Sequence, residues 1–379
     1  MGPGPSTVPS RVLRAMSKPT LGHLDPRFIE IMGETMDLLR YVFQTKNEVT
    51  LPMSGTGSAG METVLVNLLE PGDKAIICIC GAFGLRMADI AERCGARVVK
   101  VESPWGYPIY PDDVQKALAK NPDARLLAIV HAETSTGVLQ PLQEISRLCK
   151  KYGVLLVVDT VTSLGGVEFR CDEWGVDAAY SGTQKCLNCP PGLSPVTFSP
   201  AALERLEKRK SKVSSWYLDM TMIRRYWGQE RFYHHTAPVN MIYALNEALQ
   251  IVKEEGLENR WARHRQSQKA FIAGIKAMGL DMLVDEPYRL PSLNTVKIPD
   301  GIDDAKVRGA LLKEYNIEIG GGLGELKGKV WRIGLMGNNA RKRNVIWLLS
   351  ALEDVLSRLG YNLERGSGVK AASLIYEGT

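Results

Sequence analysis

Between residues 75 and 158 the chain repeats one pattern: a short apolar run, then a helical segment of about ten residues. Apolar runs at Ala75–Cys80, Arg97–Val101, Leu126–His131 and Val154–Val158 alternate with helical periodicity at Gly84–Arg93, Pro111–Ala119 and Leu142–Tyr152. Strands alternating with helices predict βαβ units, hence a mainly parallel sheet covered by helices on both faces. The fourth run, Leu155 to Val158, is wholly apolar and stops at Asp159. Such a strand is buried on both faces, and an acid at its carboxyl end faces the crevice where open α/β sheets bind ligands. A second short strand, Ala178-Ala179-Tyr180, leads into Ser181-Gly182-Thr183-Gln184-Lys185. The 26 residues from Asp159 to Lys185 are enough for a connection that returns to the same rim.

An acid and a lysine at one rim suit pyridoxal phosphate chemistry. The amine forms a Schiff base with the aldehyde, and the carboxylate keeps the pyridine nitrogen protonated so that the ring accepts electrons. Other segments supply parts that such a site needs. Residues 50–60, TLPMSGTGSAG, run a strand through a glycine-rich turn into a helix from about Gly60 to Leu69. Free amides at a helix start, with the hydroxyls of Thr56 and Ser58, make an anion cradle. Phe83 stands at one strand end, where it is either core or a stacking face for a planar cofactor. The run His131 to Gly137 places hydroxyls at another. The opening GPGPS is too rigid and too poor in side chains for regular structure, and its glycines permit close approach of backbone to a ligand.

Length suggests two units, at roughly 150 residues per domain. The expected division is a segment 1–20 reaching the site, a large α/β domain 21–238, a smaller α+β domain 239–360, and a polar, loosely held tail 361–379 in which Leu374-Ile375-Tyr376 could dock on a partner. Within the second domain Arg332 interrupts an apolar strand, and its planar fork suits a substrate carboxylate. Apolar residues make up 45% and charged residues 23%, the balance of an ordinary globular chain. The net charge of +5 is mild, and RLEKRKSK at 205–212 is broken by Leu206 and Glu207, so nucleic-acid binding is not expected. No apolar stretch approaches the roughly 18 residues of a membrane helix, and the ends carry no signal core or targeting tripeptide, which leaves the cytoplasm as the default compartment. Seven scattered cysteines fit reduced thiols. The Cys186/Cys189 pair lacks a second ligand pair for zinc. His234-His235 are adjacent and so share no face for a metal.

With these pieces placed, the chain resembles the class V, fold-type I pyridoxal-phosphate aminotransferases of the alanine/serine–glyoxylate group. The motifs are SGTGSAGME at 54–62, HAETSTGV at 131–138, VDTVTSLGG at 158–166, YSGTQK at 180–185, YHHT at 233–236 and RIGLMG at 332–337, six in family order over roughly 360 residues. The resemblance implies a Schiff-base and proton-shuttling role for Lys185, pairing of Asp159 with the pyridine nitrogen, Val161 on the ring face opposite Phe83, and Thr134 on the ring's phenolic oxygen. It implies a phosphate held by Gly57, Ser58 and Gln184 together with Tyr233 and Thr236 of a neighbouring subunit, hence a homodimer with shared sites. It also implies that Arg332, aided by backbone near Gly4, clamps the α-carboxylate.

Two departures stand out: Phe83 occupies a position where some members stack a tryptophan, and the arm that some members carry ahead of GPGPS is expected to be absent or truncated. The implied reaction is transfer of an amino group from alanine or serine to glyoxylate, giving glycine and a 2-oxoacid. Ureidoglycine–glyoxylate transamination is the near alternative, its donor-side contacts being open around Asn240. A cysteine desulfurase-like reaction would need a mobile cysteine beyond Cys189, and a non-catalytic regulator of this fold would not be expected to keep both Lys185 and Arg332.

Overall fold

The computed structural model describes residues 1–378. Its strands in chain order are β1 (Val49–Ser54), β2 (Lys74–Ile79), β3 (Arg97–Glu102), β4 (Ala124–Val130), β5 (Ala132–Glu133), β6 (Val138–Leu139), β7 (Leu155–Asp159), β8 (Ala178–Tyr180) and β9 (Leu193–Phe198). Seven of them form one sheet in the order β1-β9-β8-β7-β4-β2-β3. The pairs β3/β2, β2/β4, β4/β7 and β7/β8 are parallel, as the alternation predicts, and each expected strand and helix lies within a few residues of its place. β9 alone runs against the rest and pairs antiparallel with both β8 and β1. The short β5–β6 hairpin carries the hydroxyl-rich loop over the carboxyl rim of the sheet.

The strands at the centre are wholly apolar because helices cover both faces: Leu156, Val157 and Val158 have no measurable exposure. This core runs from Val12 to Trp261 in sequence. A second core begins at Ala270 and is built around the antiparallel sheet β10 (Leu293–Lys297), β12 (Val330–Gly334) and β11 (Gly320–Gly321). The helix Leu257–Ala277 contributes to both. The helix Val239–Glu255 packs on Pro26–Phe43 and Ser10–Met16, so it belongs with the first core although the sequence changes character there.

The carboxyl end differs from expectation. Residues expected to form a loosely held polar tail include a helix, Ser367–Glu377, packed on Leu257–Ala277 and Lys342–Arg358. Its Ala372 is fully buried, and Val369, Ile375 and Tyr376 join the second core. Positions 369, 372 and 376 form a narrow stripe at helical spacing, which polar neighbours mask. Glu353, itself buried, accepts from the amides of Gly366 (3.0 Å) and Gly368 (2.6 Å), satisfying donors at the helix start.

All seven cysteines are free thiols, and all but Cys94 are buried. Burial pushes the Cys186 thiol up to about 11. Among the described residues no three His, Cys, Asp or Glu are grouped to hold a metal, and no helix is long and apolar enough to cross a membrane.

Candidate active site

Asp159 is the last residue of β7, in register with Tyr180 on β8. Its carboxylate is 2% exposed; Oδ1 accepts from the Val161 amide at 2.8 Å and Oδ2 from the Tyr180 hydroxyl at 2.9 Å. Burial pushes its pKa up to about 7, partly offset by those two bonds and by the charge of nearby Lys185, and among the described residues no salt bridge is made to it. A buried carboxylate in this state favours a cationic N–H as its next partner.

Lys185 follows β8 in the turn that Tyr180 opens. Its Nζ donates to the Pro3 carbonyl, and burial, then the charge of Arg332, pulls its pKa down to about 8. The amino-terminal segment covers it: Ser6 donates its amide to Gln184 O (2.8 Å) and its hydroxyl to Lys185 O (2.6 Å). Gly4 has φ of +106°, and a Cβ there would lie 2.6 Å from Lys185 Nζ, so the segment comes this close only because the residue is glycine.

The glycine-rich turn sits beside these groups. Gly55 adopts φ of +135° and donates to Gly192 O at 2.9 Å, turning the chain sharply into the helix Gly57–Leu68. No side chain caps that helix, which leaves its first amides to an outside acceptor. A Cβ on Gly57 would lie 3.1 Å from Val161 Cγ2, and one on Gly182 would lie 2.9 Å from Gln184 Oε1, so the loops carrying Asp159, Lys185 and the turn converge. Gln184 Oε1 is buried without a partner, an orphaned acceptor at the same place.

Arg332, buried on β12, donates from Nε to Gly321 O at 2.7 Å and from Nη1 to Thr134 O at 3.1 Å. Those bonds fix the guanidinium and leave Nη2 for an incoming carboxylate. The Thr134 hydroxyl is bonded to that of Thr162.

Three contributors were not singled out from sequence. Glu133 is fully buried, with Oε1 accepting from Ser135 N (3.1 Å) and Oγ (2.6 Å) and Oε2 from Phe83 N (3.3 Å); burial raises its pKa. Tyr180 orients Asp159. Arg86 donates to Ser58 Oγ at 3.1 Å and lies 5.0 Å from the centre of the Phe83 ring. The available signals were an acid inside HAETSTGV, the strand register opposite Asp159, and an arginine three residues after Phe83 on one helix face.

Tyr233 and Thr236 stand apart. Both are exposed, they bond to each other at 3.4 Å, and Tyr233 lies against His23, with ring centroids 5.1 Å apart. Among the described residues neither bonds to the turn or to Lys185.

The Aminotransferase class-V family profile matches residues 2–335. The chain belongs to the class-V aminotransferases. It is 42% identical to the (S)-ureidoglycine–glyoxylate transaminase of Bacillus subtilis, covering 100% of this chain and 95% of that protein. It is 44% identical to the alanine–glyoxylate aminotransferase of Drosophila melanogaster over 95% of this chain and 93% of that one. The crystal structure of ureidoglycine–glyoxylate aminotransferase from Bacillus subtilis superimposes with a TM-score of 0.98 over 100% of this chain and 97% of that one, at 44% identity. That of alanine–glyoxylate aminotransferase from Nostoc superimposes with a TM-score of 0.92 at 52% identity, over 94% of each chain. As a class-V aminotransferase the protein is an enzyme that depends on pyridoxal phosphate.

The residues present fit that cofactor. The uncapped helix start, with its free amides, suits a phosphate, the buried Asp159 carboxylate suits a ring N–H, and the Lys185 amine lies close to Asp159.

Proposed function

We propose that the protein transfers the amino group of a small donor, alanine or serine, to glyoxylate, yielding glycine and the matching 2-oxoacid. The observation that carries the small size of the substrates is the fit of Gly4 over Lys185, too close for even a methyl group, with Arg332 fixed beside them. A carboxylate on Arg332 leaves its α-carbon little room for a long side chain. The ureidoglycine–glyoxylate reaction is a second reading, favoured by the full-length superposition on the Bacillus subtilis enzyme. Steady-state rates with alanine, serine and ureidoglycine against glyoxylate and pyruvate separate the two, and absence of turnover with every glyoxylate pair overturns both.

Pyridoxal phosphate, when bound, supplies a carrier for the amino group and a ring that accepts electrons. Gly57, Ser58 and Gln184 would hold its phosphate, with Thr56 at the turn and Arg86 adding positive charge. Asp159 and Thr134 would hold the ring's nitrogen and phenolic oxygen, and Val161 and Phe83 would flank it. Arg332 orients the substrate so that its Cα–H points at Lys185. Lys185 Nζ, with a pKa near 8, takes the Cα proton and returns it in the second half-reaction, close to the driving force that proton transfer needs at neutral pH. Pro3 and Gly4 over Nζ keep water from the amine.

Tyr233 and Thr236 lack partners at their own cradle, and exposed Trp216, Tyr217, Phe232 and Tyr233 lie in one segment. These features support a homodimer in which each chain lends Tyr233 and Thr236 to the other's phosphate. The unpaired thiols suit a reducing compartment, and we place the enzyme in the cytoplasm.

Arg332→Lys keeps the charge and loses the fork. The expected result is a KM raised about 10- to 100-fold for both amino and oxo substrates, with a smaller change in kcat. Unchanged KM values would show that the carboxylate binds elsewhere.

A further inference from the structure

His234 and His235 take no part in the chemistry above, yet they connect to it. His234 Nε2 lies 3.2 Å from the Trp216 carbonyl oxygen, His234 Nδ1 lies 2.8 Å from His235 Nδ1, and His235 Nε2 lies 3.1 Å from Ser54 Oγ. One fixed end sets every proton in this row. A carbonyl oxygen only accepts, so His234 Nε2 carries hydrogen. With one N–H on each ring, His234 Nδ1 accepts and His235 Nδ1 donates. His235 Nε2 is therefore an acceptor, and the Ser54 hydroxyl donates to it.

The rings are held for this purpose. Trp216 stacks on His234 with centroids 4.3 Å apart and planes 19° apart. Tyr217 and Tyr226 pack against His235 at 5.1 and 5.9 Å. Burial, with the neighbouring His234, pulls the pKa of His235 down to about 4, so the ring is neutral and an acceptor at neutral pH. Because the two Nδ1 atoms face each other, they do not converge on a common ion.

Ser54 is the last residue of β1, and the next residues are Gly55, with its left-handed φ, and Thr56, Gly57 and Ser58. Glycine at 55 permits the sharp bend of this turn, and a phosphate needs the amides of 57 and 58 at one bearing. We infer that His235, through Ser54 and backed by His234, is a positioning residue that fixes the anion-binding turn for the cofactor's phosphate. The inference rests on the reading that this turn holds the phosphate.

The test compares two probes that differ only in that group. Full-length wild type, His235→Phe, His235→Gln and Ser54→Ala are stripped of cofactor and titrated with pyridoxal phosphate and with pyridoxal, following protein fluorescence. His235→Phe should weaken pyridoxal phosphate about 10-fold while pyridoxal changes less than about twofold. Ser54→Ala should do the same, the double variant should add nothing, and His235→Gln should recover most of the loss, since its amide accepts from Ser54 and donates to His234. Equal losses for both probes in His235→Phe would mean that the ring only packs, and would overturn the inference. Equal affinity of the wild type for both probes would overturn the phosphate reading on which it rests.

Discussion

Replacing Lys185 by alanine should lower kcat by at least about 10³- to 10⁴-fold, because the nucleophilic amine and the proton carrier disappear together. The visible absorbance of the lysine-linked cofactor should vanish with turnover. The fold should survive. In the folded protein the amine's pKa falls from 10.5 to about 8, so its charged form is disfavoured there. That penalty is full below pH 8 and fades as pH rises toward 10.5, and it amounts to at most about 3 kcal/mol. Removing the amine at pH 7 therefore relieves a cost, and the melting temperature should not drop. Added methylamine should restore part of the rate by occupying the vacated space. Retained turnover of alanine or serine in the variant would overturn the assignment of Lys185.

Asp159→Asn should lower kcat/KM by roughly 10²- to 10³-fold, the value of two to three units of pKa lost from a buried charge pair. Its effect on stability should reverse with cofactor. The carboxyl group titrates near 3.8 when unfolded and near 7 when buried in the folded chain. Between those values the folded state binds the extra proton, so the cofactor-free wild type loses stability as pH rises from about 4 to about 7. At pH 8 the cofactor-free variant should accordingly melt higher than the wild type, and near pH 4 the gap should close. With cofactor bound, the wild type should regain the advantage, since Asp159 then has a cation beside it. Melting curves at both pH values, with and without pyridoxal phosphate, check this. A cofactor-free variant that melts lower at pH 8 would show that the carboxylate is paired inside the protein.

The parallel sheet was legible because its strands are buried on both faces and leave uniform apolar runs, while the helices between them keep a 3.6-residue period. Asp159 and Lys185 were legible for a related reason: polar residues that end such runs must lie at the rim. What escaped was what depends on partners distant in sequence. The reversed direction of β9 matches its antiparallel pairing with β1, a strand that ends at Ser54 while β9 begins at Leu193, as well as with the nearby β8, and nothing local in LSPVTF records it. Glu133 reads as an ordinary loop acid until Phe83 and Ser135 are seen around it. The docked terminal helix has a stripe too narrow to separate from a polar tail. The His234-His235 pair looked like a weak metal motif, and its hydrogen bonds exist only because Trp216 and Ser54 arrive from either side.

Six of the seven thiols lie inside the folded chain, and the half-buried one, Cys94, is far in sequence from Lys185. Cys186, next to Lys185, is fully enclosed, its sulfur 3.6 Å from the Thr162 carbonyl. A slow alkylating reagent can reach that sulfur only when the packing around it opens, so the rate of its labelling is a clock for local opening next to Lys185. The clock is built into the native sequence and runs without any engineered probe.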